Sequence, residues 1–153
     1  MSGGAEEEDI EQPQRALIID ASVALKWLVE EEGSDGATAL QEDDLAAPSL
    51  LRIEVANVLR TLAVRGMVTP EDALRRLALL QATPLRIVDL DDALEGRALE
   101  MALDLSHPVY DCIYLALAER MERRLVTADG RFVRALAGTA FEPLALPLTT
   151  QSA

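Results

Sequence analysis

Ala16, Leu17, Ile18 and Ile19 form an unbroken apolar run that stops at Asp20, after which the hydrophobic positions over 23–29 take up helical spacing. A continuous run suits a strand buried on both faces, and the change of period predicts that a helix follows it. Glu30, Glu31, Glu32 and Gly33 close that helix, 34–40 reads as a short second helix, and 45–48 reads as a brief strand ended by Pro48. Ser49 is placed to cap a long helix over 50–65. In it Leu51, Val55, Val58, Leu59 and Leu62 share one face, Glu54 sits at the margin, and Gly66 ends the run.

Thr69, Pro70, Glu71 and Asp72 make a strong helix start, with a capping hydroxyl, proline at the first helical position and acids in the first turn. That helix is expected to reach about residue 81, with a strand over 85–88 and an amphipathic helix over 91–105 beyond it. The segment Ser106-His107-Pro108 breaks the pattern before another helix over 109–122, a strand over 125–127, a short helix over 130–136 and a last strand over 144–146. Strands alternating with helices of these lengths predict an α/β fold with three layers, α/β/α, around a mainly parallel central sheet. The sequence contains no internal repeat.

The length of 153 residues suits one domain. Residues 1–14 are rich in Gly, Pro, Glu and Asp with little to bury and are expected to be an acidic flexible tail, with the folded domain over 15–148 and a short tail over 149–153. Half of the residues are hydrophobic but only 3% aromatic, so the core must be aliphatic. The net charge of -13 at first argues against a polyanionic partner. Its distribution changes that reading, because the first 44 residues hold 13 acids against Arg15 and Lys26, while the remainder sets 12 arginines against 14 acids. One cysteine, Cys112, cannot form an intrachain disulfide, and no apolar stretch is long enough to span a bilayer, so a cytoplasmic protein is expected.

Four carboxylates occupy informative positions. Asp20 follows the first strand and Asp129 follows the strand over 125–127, the end of a parallel sheet where ligands bind; each also precedes a helix and could simply cap it. Asp111 interrupts a helix that is otherwise apolar or aromatic on nearly every side, and a buried carboxylate demands a cation, a metal or hydrogen bonds. A Tyr hydroxyl or an Arg from elsewhere could satisfy it instead. Glu54, with Asn57 one turn on, could equally be a solvated helix residue. Carboxylates converging on one pocket repel one another, so a cluster of this kind is tolerable mainly around a divalent cation, and all-oxygen ligands suit Mg²⁺ or Mn²⁺ rather than Zn²⁺.

The segments Ile19-Asp20-Ala21-Ser22-Val23, Glu54-Val55-Ala56-Asn57-Val58-Leu59, Tyr110-Asp111-Cys112-Ile113-Tyr114-Leu115-Ala116-Leu117-Ala118 and Leu125-Val126-Thr127-Ala128-Asp129-Gly130-Arg131-Phe132 resemble the successive motifs of the PIN domain, most closely those of the VapC toxins of bacterial toxin–antitoxin pairs. The likeness runs from about residue 16 to residue 146. It implies a catalytic metal site of Asp20, Glu54, Asp111 and Asp129, holding Mg²⁺ or Mn²⁺, with Ser22, Thr127 and Asn57 as auxiliary residues. It also implies a cytoplasmic endoribonuclease that hydrolyses RNA to leave a 5′-phosphate and a 3′-hydroxyl. The implied partners are a cognate VapB-like antitoxin, which alone contacts operator DNA, and a second copy of the chain in a homodimer. The acidic N-terminal extension departs from the family pattern.

Competing classes fare less well. A catalytically silent PIN-like module that binds RNA or protein would be favoured had one of the four acids been lost, and none has been. Phosphatases resembling the haloacid dehalogenases place a second Asp two residues after the nucleophile, where this chain has Ser22. A dinucleotide-binding enzyme needs a glycine-rich turn after the first strand, and Ala21-Ser22-Val23-Ala24 is not one. His107 is given no role, Cys112 is read as a small core residue, and Trp27 as core or as an anchor for a partner helix.

Overall fold

The computed structural model describes residues 14–148, so most of the expected N-terminal tail and all of the C-terminal tail lie outside the described residues. Five parallel strands form one sheet in the order β3-β2-β1-β4-β5. They are β1 (Ala16–Ile19), β2 (Asp44–Pro48), β3 (Arg86–Val88), β4 (Arg124–Thr127) and β5 (Ala145–Pro147). The helices are α1 (Ala21–Leu28), α2 (Ser34–Ala39), α3 (Leu50–Val64), α4 (Pro70–Ala82), α5 (Asp92–Leu105), α6 (Val109–Met121) and α7 (Gly130–Leu136), with single 3₁₀ turns at Leu40–Glu42 and Glu142–Leu144. The α/β/α architecture expected from the pattern is the one observed.

The strand order locates the sheet's switch point. From β1 the chain moves outward through β2 to β3, then returns across the sheet to β4 and continues to β5. Because parallel crossovers are right-handed, reversal of direction puts the helices before β3 and those after it on opposite faces, and it opens a crevice between the carboxyl ends of β1 and β4. Pairing of Ile18 with Leu125 and Ile19 with Val126 sets the two strand ends side by side. Asp20 and Asp129 leave the sheet at that crevice.

The core is aliphatic, as composition requires: Ile18, Ile19, Leu51, Leu115, Leu117 and Leu125 are fully buried, with Tyr114 and Phe132 the largest buried side chains. Helix α6 explains its apolar surround by position, since it packs on β1, β2 and β4 and is covered by α5, and Cys112 through Ala118 are all buried. Cys112 is thus a core residue, and burial pushes its thiol up to about 11, with the nearby Asp111 adding to the effect. Trp27 packs against the core and donates Nε1–H to Ala37 O at 2.7 Å, which makes it a link between α1 and α2.

Two local expectations need correction. Ser49 makes no side-chain cap for α3; its own backbone is already helical, and its amide donates to Val88 O at 2.9 Å, tying the start of α3 to β3. On α3 the expected face is buried at Leu51, Val55 and Leu59, but Val58 is exposed because it borders a pocket. No described helix is long and apolar enough to cross a membrane. Gln14, at the edge of the expected tail, donates Nε2–H to Glu42 O at 3.0 Å.

Candidate functional site

A shallow pocket of about 170 Å³ opens at the switch point and is lined by Asp20, Ala21, Ser22, Glu54, Val58, Asp111, Tyr114 and Asp129. The four acids singled out in the sequence therefore meet, although they come from β1, α3, α6 and β4. No basic side chain is among the lining residues.

Asp20 and Asp129 do two things at once. Asp20 caps α1, its Oδ1 accepting from Ser22 N at 3.1 Å and Val23 N at 3.3 Å, and Asp129 caps α7, its Oδ1 accepting from Arg131 N at 3.0 Å and Phe132 N at 3.2 Å. Capping and pocket lining, posed as alternatives by the sequence, coexist because each cap uses only one carboxylate oxygen.

Two hydroxyls connect these acids. Ser22 Oγ donates to Asp20 Oδ1 at 2.5 Å and accepts from Ala128 N at 2.9 Å, while Thr127 Oγ1 accepts from Asp129 N at 3.0 Å and lies 3.4 Å from Ser22 Oγ. Burial drives the Asp20 carboxyl up to about 6, and the Ser22 and Thr127 hydroxyls and the Val23 amide hold it from rising further, with Asp111 adding to the rise. Asn57 takes no part in the pocket: it is exposed, and Val58 lines the pocket in its place.

Glu54 is half-buried and accepts from the Tyr114 hydroxyl. Burial raises its pKa, the Tyr114 hydrogen bond opposes that, and Asp111 adds to it; the phenol of Tyr114 is itself raised, by burial first and then by Glu54. Tyr114 thus serves Glu54 rather than Asp111. The partner of Asp111 is His107, whose Nε2 lies 2.7 Å from Oδ2, with the imidazole ring packed on Phe132. Sequence reading missed His107. The signal available was its place four residues before Asp111 in a segment pinned by a following proline.

Glu54, Asp111 and Asp129 share a pattern: each has one oxygen engaged by the protein and, among the described residues, a second oxygen that accepts no hydrogen bond from it. Such free oxygens are hard donors suited to a divalent cation. The acids line a pocket without forming a closed cage, for among the described residues no three His, Cys, Asp or Glu side chains stand close enough to hold an ion as they are.

The PIN domain family model matches residues 17–136, from the first strand through the helix that Asp129 caps. The chain belongs to the PIN domain family. Within it, Ribonuclease VapC3 of Pyrobaculum aerophilum is 33% identical over 117 residues, covering 74% of this chain and 88% of that protein. Ribonuclease VapC9 of Mycobacterium tuberculosis is 34% identical over 118 residues, covering 75% and 87%. The fold also matches a toxin–antitoxin complex from Klebsiella pneumoniae with a TM-score of 0.65 at 14% identity, over 88% of this chain and 99% of that one. VapBC2 from Rickettsia felis, solved with a DNA fragment of its promoter, matches at a TM-score of 0.62 and 12% identity, over the same shares. The VapC relatives place this PIN domain in the VapC family, and its matched segment contains all four pocket acids.

Proposed function

We propose that this VapC-family chain is a cytoplasmic Mg²⁺- or Mn²⁺-dependent endoribonuclease, the toxin of a toxin–antitoxin pair. A cognate VapB-like antitoxin would restrain it, and it would work as a homodimer. The observation that carries the reading is the convergence of Asp20, Glu54, Asp111 and Asp129 on one pocket that no basic side chain lines. Acids gathered without a counter-charge repel one another and are stabilised by a divalent cation, and the free oxygens of Glu54, Asp111 and Asp129 are the groups to hold it beside Asp20. Bound there, such an ion would supply Lewis acidity for phosphodiester hydrolysis.

The chain's own residues prepare that site. Ser22 fixes the rotation of Asp20 and reaches across to the β4 end, and Thr127 holds the Asp129 amide, so the first and last acids keep a set separation. Tyr114 orients Glu54 from the buried side. RNA is the proposed substrate because the named relatives are ribonucleases, and an antitoxin partner because a related fold was solved as a toxin–antitoxin complex.

The open spacing of the carboxylates favours one rival, a PIN-like module that binds RNA or protein without cutting it. Mapping 5′-phosphate ends in total RNA after brief induction separates the two. Discrete new ends are expected, lost in Asp111→Asn, with cleavage by the purified chain stopped by EDTA and restored by Mg²⁺ or Mn²⁺. EDTA-resistant cleavage, or full activity in Asp111→Asn, would sink the metal mechanism; no new ends at all would favour the binding module.

A further inference from the structure

His107 is held on three sides. Ser106 ends α5 in the left-handed conformation, φ 51°, and the His107 amide then donates to Ala102 O at 3.0 Å, closing the helix end. Pro108 follows at the N-cap of α6 with φ -57°, so the chain turns from one helix into the next with little freedom at His107. The ring lies against Phe132 with centroids 4.8 Å apart and planes at 37°, and the His107 side chain is only 14% exposed.

Among the described residues, the ring's one polar contact is with Asp111. Toward an ionised carboxylate, which has no hydrogen to give, Nε2 can only donate, and the 2.7 Å contact is with Oδ2 alone. Oδ1 has no protein donor among the described residues. Asp111 is the third residue of α6, near the positive end of the helix, and the His107 contact reaches it from the turn before that helix. Phe132, the seat of the ring, sits on α7 and donates its amide to Asp129. One imidazole therefore touches the acid of α6 and the helix that the acid of β4 caps.

We propose that His107 is a positioning residue for a divalent cation in the acidic pocket: it holds Oδ2 of Asp111, fixes the rotation of that carboxylate, and leaves Oδ1 as the oxygen offered to the ion. This rests on the metal-dependent reading above. Outer hydrogen-bond partners of metal-binding carboxylates set their orientation, and losing one typically lowers metal affinity by about 10–100-fold. A residue that only ties α5 to α6 would change thermal stability and leave ion affinity alone.

The test is Mn²⁺ binding by the full chain without RNA, read from the electron paramagnetic resonance signal of free Mn²⁺, with thermal melts in EDTA to verify folding. His107→Leu keeps an apolar contact for Phe132 and removes the donor; it should weaken Mn²⁺ binding about 10–100-fold. His107→Gln places an amide N–H the same number of bonds from Cβ as Nε2 and should recover most of the loss. Should the leucine variant fail to fold, His107→Asn decides, because its shorter amide falls short of Asp111 and should bind Mn²⁺ as weakly as expected for leucine. Wild-type affinity in the folded donor-less variant, or glutamine no better than it, overturns the role of His107 alone. A wild-type chain whose Mn²⁺ binding is absent, or is unchanged by Asp20→Asn, overturns the metal reading and this inference with it.

Discussion

Asp20 pays for its position: it is buried, capped and faced by another acid, and its carboxyl is pushed up to about 6 from 3.8. A raised carboxyl binds its proton more tightly in the fold than in the open chain, so between those values the native state carries more protons and stability falls as pH rises. Above about pH 6 the ionised carboxylate lowers stability by about 2–3 kcal/mol. Asp20→Asn removes that charge while its amide oxygen can still accept from Ser22 and Val23. In EDTA it should raise the melting temperature at pH 7.5, with the gain shrinking toward zero near pH 4; an equal gain at both pH values would show that charge is not its cause. The sequence placed Asp20 and Asp129 at the strand ends because an apolar run followed by an acid is a local signal. His107 was illegible by the same standard, since its contact with Asp111 depends on the left-handed turn at Ser106 and on a phenylalanine from a helix beyond β4.

Elements were largely legible and their arrangement was not. Apolar spacing together with cap, proline and glycine signals located every described strand and α-helix, because these are properties of neighbouring residues. The strand order is set by pairings between residues far apart, such as Ile18 with Leu125, which no local pattern encodes. Ser49 illustrates the limit: it reads as a cap, yet its amide is taken by Val88, a residue of a strand that follows two helices later. Helix ends also hold strain that composition hides. Glu122 terminates α6 at φ 55°, and its amide donates to Ala118 O and Glu119 O, so the turn is fixed while a side chain sits in a conformation that favours glycine. Glu122→Gly should relieve this and, after the added freedom of the unfolded chain, stabilise the protein by about 0.5–1 kcal/mol. Thermal and urea unfolding measure it, and a loss of stability would mean that Glu122 makes a contribution its backbone geometry does not reveal.

For the whole molecule, the charge of -13 describes several separate features. Four acids belong to the pocket, others are paired on the surface, as Asp91 is with Arg120 and Glu119 with Arg97, and five lie within the first 13 residues, where there is no basic residue at all. Surface pairs contribute little to stability, but they neutralise arginines that a polyanion would otherwise meet. Under the proposed ribonuclease function, association with RNA would depend on the unpaired arginines and on a cation in the pocket, opposed at long range by the remaining acids. The acids of residues 1–13 add to the net charge that a polyanion meets. Deleting residues 1–13 removes Glu6, Glu7, Glu8, Asp9 and Glu11 and leaves every described strand and helix intact. The truncated chain should melt as the full chain does and cleave with a lower KM for RNA at low salt and an unchanged kcat. The KM difference should vanish as ionic strength rises and the Debye length falls to about 3 Å near 1 M salt. A fall in kcat or a loss of folding would show that the N-terminal segment takes part in the site or the fold, and a KM gain that persists in high salt would assign it a specific contact rather than a field.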